Sequence, residues 1–435
     1  MMVKLKDPQG TVFRCPARFR VLVAGRRFGK TYLAAVELCR AAWRPGRLAW
    51  YVAPTLKQGK RIAWRLLKEL TREYWVARPN ETDLRIELVT GGVICVRGAD
   101  NYDSLRGDGL DFLVLDEYAS MAPQAWREVL RPALADRQGR ALFIGTPHGF
   151  NHFYNLYQKA KDKPHWARFQ FTTEQGGNVS RAELEEASHE LDTRTYNQEF
   201  HAQFESLTSG RVYHAFDEQE NVKQQTYDPD QPIFWSLDFN RNPASSIIGQ
   251  RDRECVGILK ELFLPDSHTW AACEEFLTST RGWCELAQFD LVRRAKKPLE
   301  VYIYGDPAGD QQHSSAVRTD WQIVKDFFGR HPELYRPVYR VRGSHPPVKD
   351  RVNCVNARLC NHAGDRNLKV DPSCKQLIED FRQVHWKTDA DGVSTFELDK
   401  RSDPRRTHLS DALGYMIHAE FGMRAKAGEM PGFIG

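Results

Sequence analysis

No run of 18 or more apolar residues occurs in the 435-residue chain, so no membrane-crossing helix is expected. The opening Met-Met-Val-Lys-Leu-Lys-Asp lacks the apolar centre of a secretory leader, and a cytoplasmic location is expected. No Cys-x-x-Cys pair and no Cys/His group at zinc spacing is found among the nine scattered cysteines. Reduced, mostly buried thiols are therefore expected, with neither a disulfide framework nor a structural zinc. A strong charge excess is missing too. Lys and Arg number 62 against 57 Asp and Glu, and a net charge of +5 neither demands nor opposes a nucleic-acid partner. The length itself suits two large domains or three ordinary ones.

The first half reads as a nucleotide-binding α/β domain. Residues 18–25, RFRVLVAG, form a short apolar run ending in glycine, as a buried parallel strand does. A helical stretch from Lys30 to about Trp43 follows, with Leu33, Val36, Cys39 and Ala42 at spacings of three. Between them lies Ala24-Gly25-Arg26-Arg27-Phe28-Gly29-Lys30-Thr31, a variant Walker A loop with Ala24 where glycine is usual. Its backbone N–H groups and the helix start suit phosphate oxygens, Lys30 the β/γ-phosphates and Thr31 a Mg²⁺ ion. A second strand, 47–53, leads to Gln58, either an adenine contact or an ordinary polar residue at a helix start, and then to the basic residues Lys60, Arg61, Arg65 and Lys68. Residues 84–96, with Gly91-Gly92 at the centre, read as a β-hairpin.

Four apolar residues followed by Asp116-Glu117 make a Walker B strand, 85 residues beyond Thr31. Asp116 is expected in the Mg²⁺ shell and Glu117 as the general base for water. The strand 141–145 ends in Gly145-Thr146-Pro147; Thr146 reads as a γ-phosphate sensor or as a simple turn residue. Arg106, beside Gly107, reads as a finger for a neighbouring subunit or as a surface ion pair.

The second half carries three separated aspartates. The runs ending at Asp238 and Asp306 are apolar strands with an acid at the end, and His408–Tyr415 starts an amphipathic helix bearing Asp411. His408 and Asp411, at i and i+3, share a face. Acids on two central strands and one late helix can converge as in an RNase H-like nuclease, where two Mg²⁺ or Mn²⁺ ions clamp a phosphodiester. Asp310 and Glu261 are spare carboxylates, better read as solvated charges. Basic runs at 293–297 (Arg293, Arg294, Lys296, Lys297) and 336–351 (Arg336, Arg340, Arg342, Lys349, Arg351) have the composition of a phosphate-tracking surface.

Together these segments resemble the large terminase subunit of tailed bacteriophages. AGRRFGKT (24–31), LRG (105–107), FLVLDE (112–117), GTP (145–147), SLDF (236–239), YGDP (304–307) and HLSDALGY (408–415) carry the resemblance over about residues 18–420. YNQEF (196–200) and VKDRVN (348–353) add to it. The resemblance implies an N-terminal P-loop ATPase of the additional-strand, catalytic-glutamate kind and a C-terminal RNase H-like nuclease. It implies ATP-driven movement of double-stranded DNA into a procapsid and cutting of concatemeric genomes. By position it implies Lys30, Thr31, Asp116 and Glu117 as the ATP site, Thr146 as the coupling residue, Arg106 as a candidate trans finger, and Asp238, Asp306 and Asp411 as the nuclease metal ligands; Gly25, Arg26, Arg27, Gly29 and Gln58 are candidate nucleotide contacts from the residue pattern alone. The partners implied are the small terminase subunit, the portal protein and a homo-oligomeric, usually pentameric, ring that is monomeric in solution away from the capsid. The place of work would be the host cytoplasm.

The expected boundaries are 1–205 for the ATPase with a lid at about 150–205, 206–228 for a linker, 229–422 for the nuclease and 423–435 for a flexible tail. A helicase- or repair-type ATPase with a fused nuclease would use the same residue chemistry. A non-catalytic DNA-binding adaptor would not need Lys30, Glu117 and all three aspartates together.

Overall fold

The structure, a computed structural model, describes residues 4–205, 210–239, 242–287, 298–310, 318–388, 394–400, 403 and 405–422. Two compact units emerge: Met1–Ala187 with Arg194–Leu207, and Ser188–Thr193 with Thr208–Gly435. The basic run at 293–297 and the tail at 423–435 lie outside the described residues. No described helix is long and apolar enough to cross a membrane. All nine cysteines are free thiols.

The first unit is built on a seven-stranded sheet. Its strands are β1 (Phe19–Ala24), β2 (Leu48–Ala53), β3 (Arg85–Glu87), β4 (Val93–Gly98), β5 (Phe112–Asp116), β6 (Arg140–Gly145) and β7 (Trp166–Phe171). The order is β3-β4-β2-β5-β6-β1-β7. Only β3 runs antiparallel, as the second arm of the hairpin with β4. β1 and β5 are buried at every position, which is why they read as unbroken apolar runs and not as alternating ones. One face packs on α1 (Lys30–Ala41) through Leu22, Leu33, Leu38 and Val114. The other buries Val21, Leu113, Phe143 and Trp126. β6 is the added strand. It stands between the loop-bearing β1 and the Asp-Glu strand β5, so all three deliver their C-terminal ends to one edge.

The second unit holds a six-stranded sheet: β8 (Ile233–Asp238), β9 (Ala244–Asp252), β10 (Cys255–Leu264), β11 (Leu299–Gly305), β12 (Tyr335–Tyr339) and β13 (Leu368–Val370). The order β12-β11-β8-β9-β10-β13 combines an antiparallel meander, β8-β9-β10, with β11 and β12 parallel to β8. Period-two alternation assigns the faces. Ile233, Trp235 and Leu237 face a core with Phe276 of α2 (Thr269–Ala287) and with Trp321 and Phe328 of α3 (Asp320–Gly329). Phe234 faces the opposite core, shared with α4 (Val348–Leu359), α5 (Lys375–Gln383) and α6 (His408–Phe421). Within the stretch read as a linker, Val212, Tyr213 and Phe216 sit in this second core.

Trp235 stacks on Phe276 at a centroid distance of 4.3 Å and donates its indole N–H to Ser246 Oγ at 3.0 Å. Trp235→Ala should therefore remove at least about 3 kcal/mol from the stability of the second unit, leaving a cavity and an orphaned hydroxyl. Denaturant unfolding of the full chain measures this; a loss below about 1 kcal/mol would show that the core collapses around the gap.

Candidate active sites

The ATP-site residues gather where β1, β5 and β6 end. Lys30, at the start of α1, is buried, and its ammonium lies 2.8 Å from the Ala24 carbonyl, 3.0 Å from that of Gly25 and 3.1 Å from Thr146 Oγ1. Burial lowers its pKa, opposed by the charges of Glu117, Asp116 and Glu199. Thr146 thus touches the loop lysine directly, more than a turn residue alone needs to do. Arg27 and Gly29 take left-handed backbone, at φ 61° and 95°, as the loop bends into the helix. Gly25 is required by close approach: a Cβ there would stand 2.4 Å from Thr173 Oγ1 and 2.6 Å from the Phe200 carbonyl oxygen. Arg26 ion-pairs with Glu199, and its backbone N–H donates to the Glu199 carbonyl at 2.7 Å. The YNQEF segment is thereby a brace behind the loop.

Asp116 is buried at the end of β5, and its neighbour Glu117 sits in left-handed backbone at φ 51°. Burial, then the charge of Glu117, raises the Asp116 pKa to about 6 against the pull of Tyr51 and Lys30. Its Oδ1 accepts the Glu117 N–H at 3.0 Å, and its Oδ2 accepts the hydroxyl of Tyr51. A strained, non-glycine conformation at the proposed base is the kind of feature that clusters at working sites. Gln58, in the short helix after β2, is half-buried, and its Oε1 is buried with no hydrogen-bond partner, which leaves an acceptor free for a ligand donor. Arg106 is not brought to Lys30. Its guanidinium is 55% exposed, pairs with Asp103 at 3.0 Å and donates to the Glu128 carbonyl at 3.2 Å.

In the second unit, β8 and β11 run parallel with Leu237 opposite Gly305, so Asp238 and Asp306 leave the sheet side by side. The Asp306 N–H donates to the Leu237 carbonyl at 3.2 Å. Gly305 permits this approach, since a Cβ there would meet the same oxygen at 2.6 Å. Asp411 comes from α6, which is tied to β8 by Ser236 Oγ donating to the Ala412 carbonyl at 2.6 Å. Burial, then the nearby charge of Asp411, raises the Asp238 pKa, opposed by His408 and Lys400.

Each aspartate faces a basic side chain. His408 Nδ1 is 3.0 Å from Asp238, and His345 Nε2 is 3.3 Å from Asp306. Arg351 is 3.1 Å and Lys400 2.9 Å from the two oxygens of Asp411. Among the described residues no three acids, histidines or cysteines close into a ready metal shell. The donor set itself, hard oxygens with the Asp238 and Asp411 carboxylates nearly buried, fits Mg²⁺ or Mn²⁺.

Several expected roles move. Arg351 is buried on Asp411 and over the Tyr415 ring, Arg340 pairs with Glu420, and Arg342 holds the His418 carbonyl, so these three of the run brace α6, while Arg336 is exposed. Glu261 accepts the Gln376 and Leu377 N–H groups at the start of α5, a structural cap and not a solvated charge. Asp310 is exposed.

Comparison with known proteins points to one family. The family model described as terminase large subunit, T4likevirus-type, N-terminal, matches residues 21–220. The large terminase subunit of Escherichia phage T5 is 25% identical over 413 residues, 92% of this chain and 86% of that relative. The chain is thus similar to phage large terminase subunits over nearly its whole length. The terminase of Thermus phage G20c is 34% identical over 169 residues, 34% of this chain and 35% of that relative. The solved large terminase of a thermophilic bacteriophage shares the fold, with a TM-score of 0.57 at 16% identity over 96% of this chain and 99% of that one. That protein has also been solved with ADP and with ATP-gamma-S, at TM-scores of 0.56 and 0.55.

The likeness spans both units of this chain, the P-loop unit and the unit that follows it, and is a likeness to DNA-packaging large terminase subunits. Sequence reading alone missed Tyr51 and Asp380. Tyr51 lies inside an apolar run and reads as core. Asp380, on α5, accepts the Ser410 N–H at 3.1 Å and pairs with Arg406 at 3.3 Å, capping the helix that carries Asp411. Neither has a local motif; only the fold brings them to the sites.

The Asp116 shift predicts a pH effect. Its pKa rises on folding, so the stability it contributes is present when it is protonated and is lost as pH climbs from its unfolded value to about 6. Without nucleotide or divalent ion, Asp116→Asn should melt several degrees above wild type at neutral pH, and the two should converge in acid below the unfolded pKa. Equal melting curves at neutral pH would show that Tyr51 and Lys30 fully offset the burial cost.

Proposed function

We propose that this chain is a DNA-packaging large terminase subunit in which Lys30, Thr31, Asp116 and Glu117 carry ATP hydrolysis and Asp238, Asp306 and Asp411 carry DNA cleavage. The observation that supports the first site is Lys30, buried and bridging the loop carbonyls to Thr146 beside Asp116 and Glu117. The backbone N–H groups of Arg27, Gly29, Lys30 and Thr31, with the Arg26 and Arg27 side chains, receive phosphate oxygens, and Gln58 contacts the base. Lys30 turns from the carbonyls to the phosphates and so releases Thr146; this exchange is the coupling event. Thr31 and Asp116 hold Mg²⁺, which when bound neutralises phosphate charge. Glu117 takes the proton of the attacking water. Arg106, exposed and tied only to its own loop and the Glu128 carbonyl, is placed to swing to a neighbouring subunit's ATP.

In the nuclease, the three aspartates hold two Mg²⁺ or Mn²⁺ ions, which supply charge neutralisation and water activation at a phosphodiester. His408 orients Asp238, and buried Arg351 orients Asp411. Lys400, 56% exposed on a flexible stem, is the cation that leaves Asp411 when the ions bind. The partners are double-stranded DNA, small terminase, portal and a pentameric ring at the procapsid, in the host cytoplasm.

Plasmid cleavage with Mg²⁺ or Mn²⁺ tests the division of labour. Asp306→Ala should abolish cutting with ATP hydrolysis kept, and Glu117→Ala should lower kcat for ATP by at least about 100-fold with cutting kept. Cutting by Asp306→Ala at the wild-type rate would remove the metal-site assignment. Arg106→Ala should keep ATP binding and lose the hydrolysis stimulated by procapsids. Loss of binding would make the arginine a structural residue of its own loop.

A further inference from the structure

Tyr51 occupies the middle of β2 and is fully buried. Its ring packs with Ala49, Ala53, Ile94 and Val114, a setting that phenylalanine would satisfy. A buried hydroxyl among such neighbours is costly unless it is hydrogen-bonded. Here it is bonded: it donates to Asp116 Oδ2. The fold makes the bond possible: β2 lies directly beside β5 with Tyr51 opposite Val114, and α1, which carries Thr31, packs across both strands. The second Asp116 oxygen is already held by the Glu117 N–H.

We propose that Tyr51 is a positioning residue of the ATP site, whose hydroxyl fixes the Walker B aspartate so that its carboxylate presents oxygen to the magnesium–nucleotide complex. This rests on the ATPase reading above and adds a residue that no motif contains. Without the hydroxyl, Asp116 keeps one orienting donor, the Glu117 N–H, and is free to turn toward Lys30. Nucleotide alone should still bind, because the loop and Lys30 are untouched. The requirement for magnesium should change.

The test uses the full chain and a fluorescent mant derivative of ATPγS, titrated with MgCl₂. Tyr51→Phe should bind the nucleotide as wild type does in the absence of Mg²⁺, but should need about 10-fold more Mg²⁺ for the half-maximal magnesium-dependent signal, the size expected for one hydrogen bond to a charged group. The kcat for ATP should fall by a similar factor with KM nearly unchanged. Incorporation of 3-fluorotyrosine at position 51 keeps the donor and should retain the wild-type Mg²⁺ midpoint. Its ¹⁹F resonance should move when Mg²⁺ is added to the nucleotide-bound protein, a readout that stands even if Tyr51→Phe folds poorly. A wild-type Mg²⁺ midpoint in Tyr51→Phe, an equal shift in the phenylalanine and fluorotyrosine proteins, or a fluorine signal blind to Mg²⁺ would each overturn the proposal. Lys30→Ala separates the two levels. If it binds nucleotide as wild type does, the ATP site itself is misassigned. If it loses binding while Tyr51→Phe behaves as wild type, only the role of Tyr51 falls.

Discussion

Two carboxylates in one poorly solvated place repel each other and resist ionisation, and both halves of this chain are organised around that difficulty. In the ATPase unit Asp116 and Glu117 are adjacent in sequence, and Asp116 is buried. Lys30 and Tyr51 stand against them, and the backbone at Glu117 turns left-handed as it leaves the strand. In the nuclease unit Asp238 and Asp411 are brought together from distant segments, with Arg351 and Lys400 supplying opposite charge and His408 a hydrogen-bonding ring nitrogen. Neither arrangement is the lowest-energy way to build a core. Apolar side chains at those positions would pack without compensation. On the proposed function the acids are retained for their work on phosphate and metal, and the surrounding polar groups stand against their mutual repulsion.

The parts of this design that were legible in the sequence are those written in consecutive residues. The loop from Ala24 to Thr31 sits between a strand and a helix, and the apolar run into Asp116-Glu117 declares its burial by having no polar alternation. The strands ending in Asp238 and Asp306 are legible for the same reason. What remained hidden depends on neighbours far apart in the chain. Tyr51 meets Asp116 because β2 lies beside β5. Glu199 meets Arg26 from 173 residues away, and Asp380 meets Ser410 through helix packing. No periodicity or spacing encodes such meetings.

Charge, in particular, misleads when it is read along the chain. Arg340, Arg342 and Arg351 look like a basic stripe, yet each is spent on holding α6 in place. His408 shares a helical face with Asp411, but its partner is Asp238, while Asp411 answers to Arg351 and Lys400. Glu261 looks free and instead caps a helix. A linear pattern gives the residue types available to a site; the fold decides which are used for chemistry and which for support.

The pairing of Leu237 with Gly305 carries a further consequence, for how such a chain tolerates length changes. Asp238 and Asp306 are neighbours through a strand register, not through the loops that separate them. Residues can be gained or lost anywhere between the two strands without moving either carboxylate. One residue inserted inside β8 or β11 reverses which face every later side chain occupies and carries the acid away from its partner. Homologous chains should therefore vary freely in the connection after β10 and in the turn after β8, and hold the strand lengths before the acids constant. Insertions would mark the outside of the nuclease, and the two invariant spans would mark its centre.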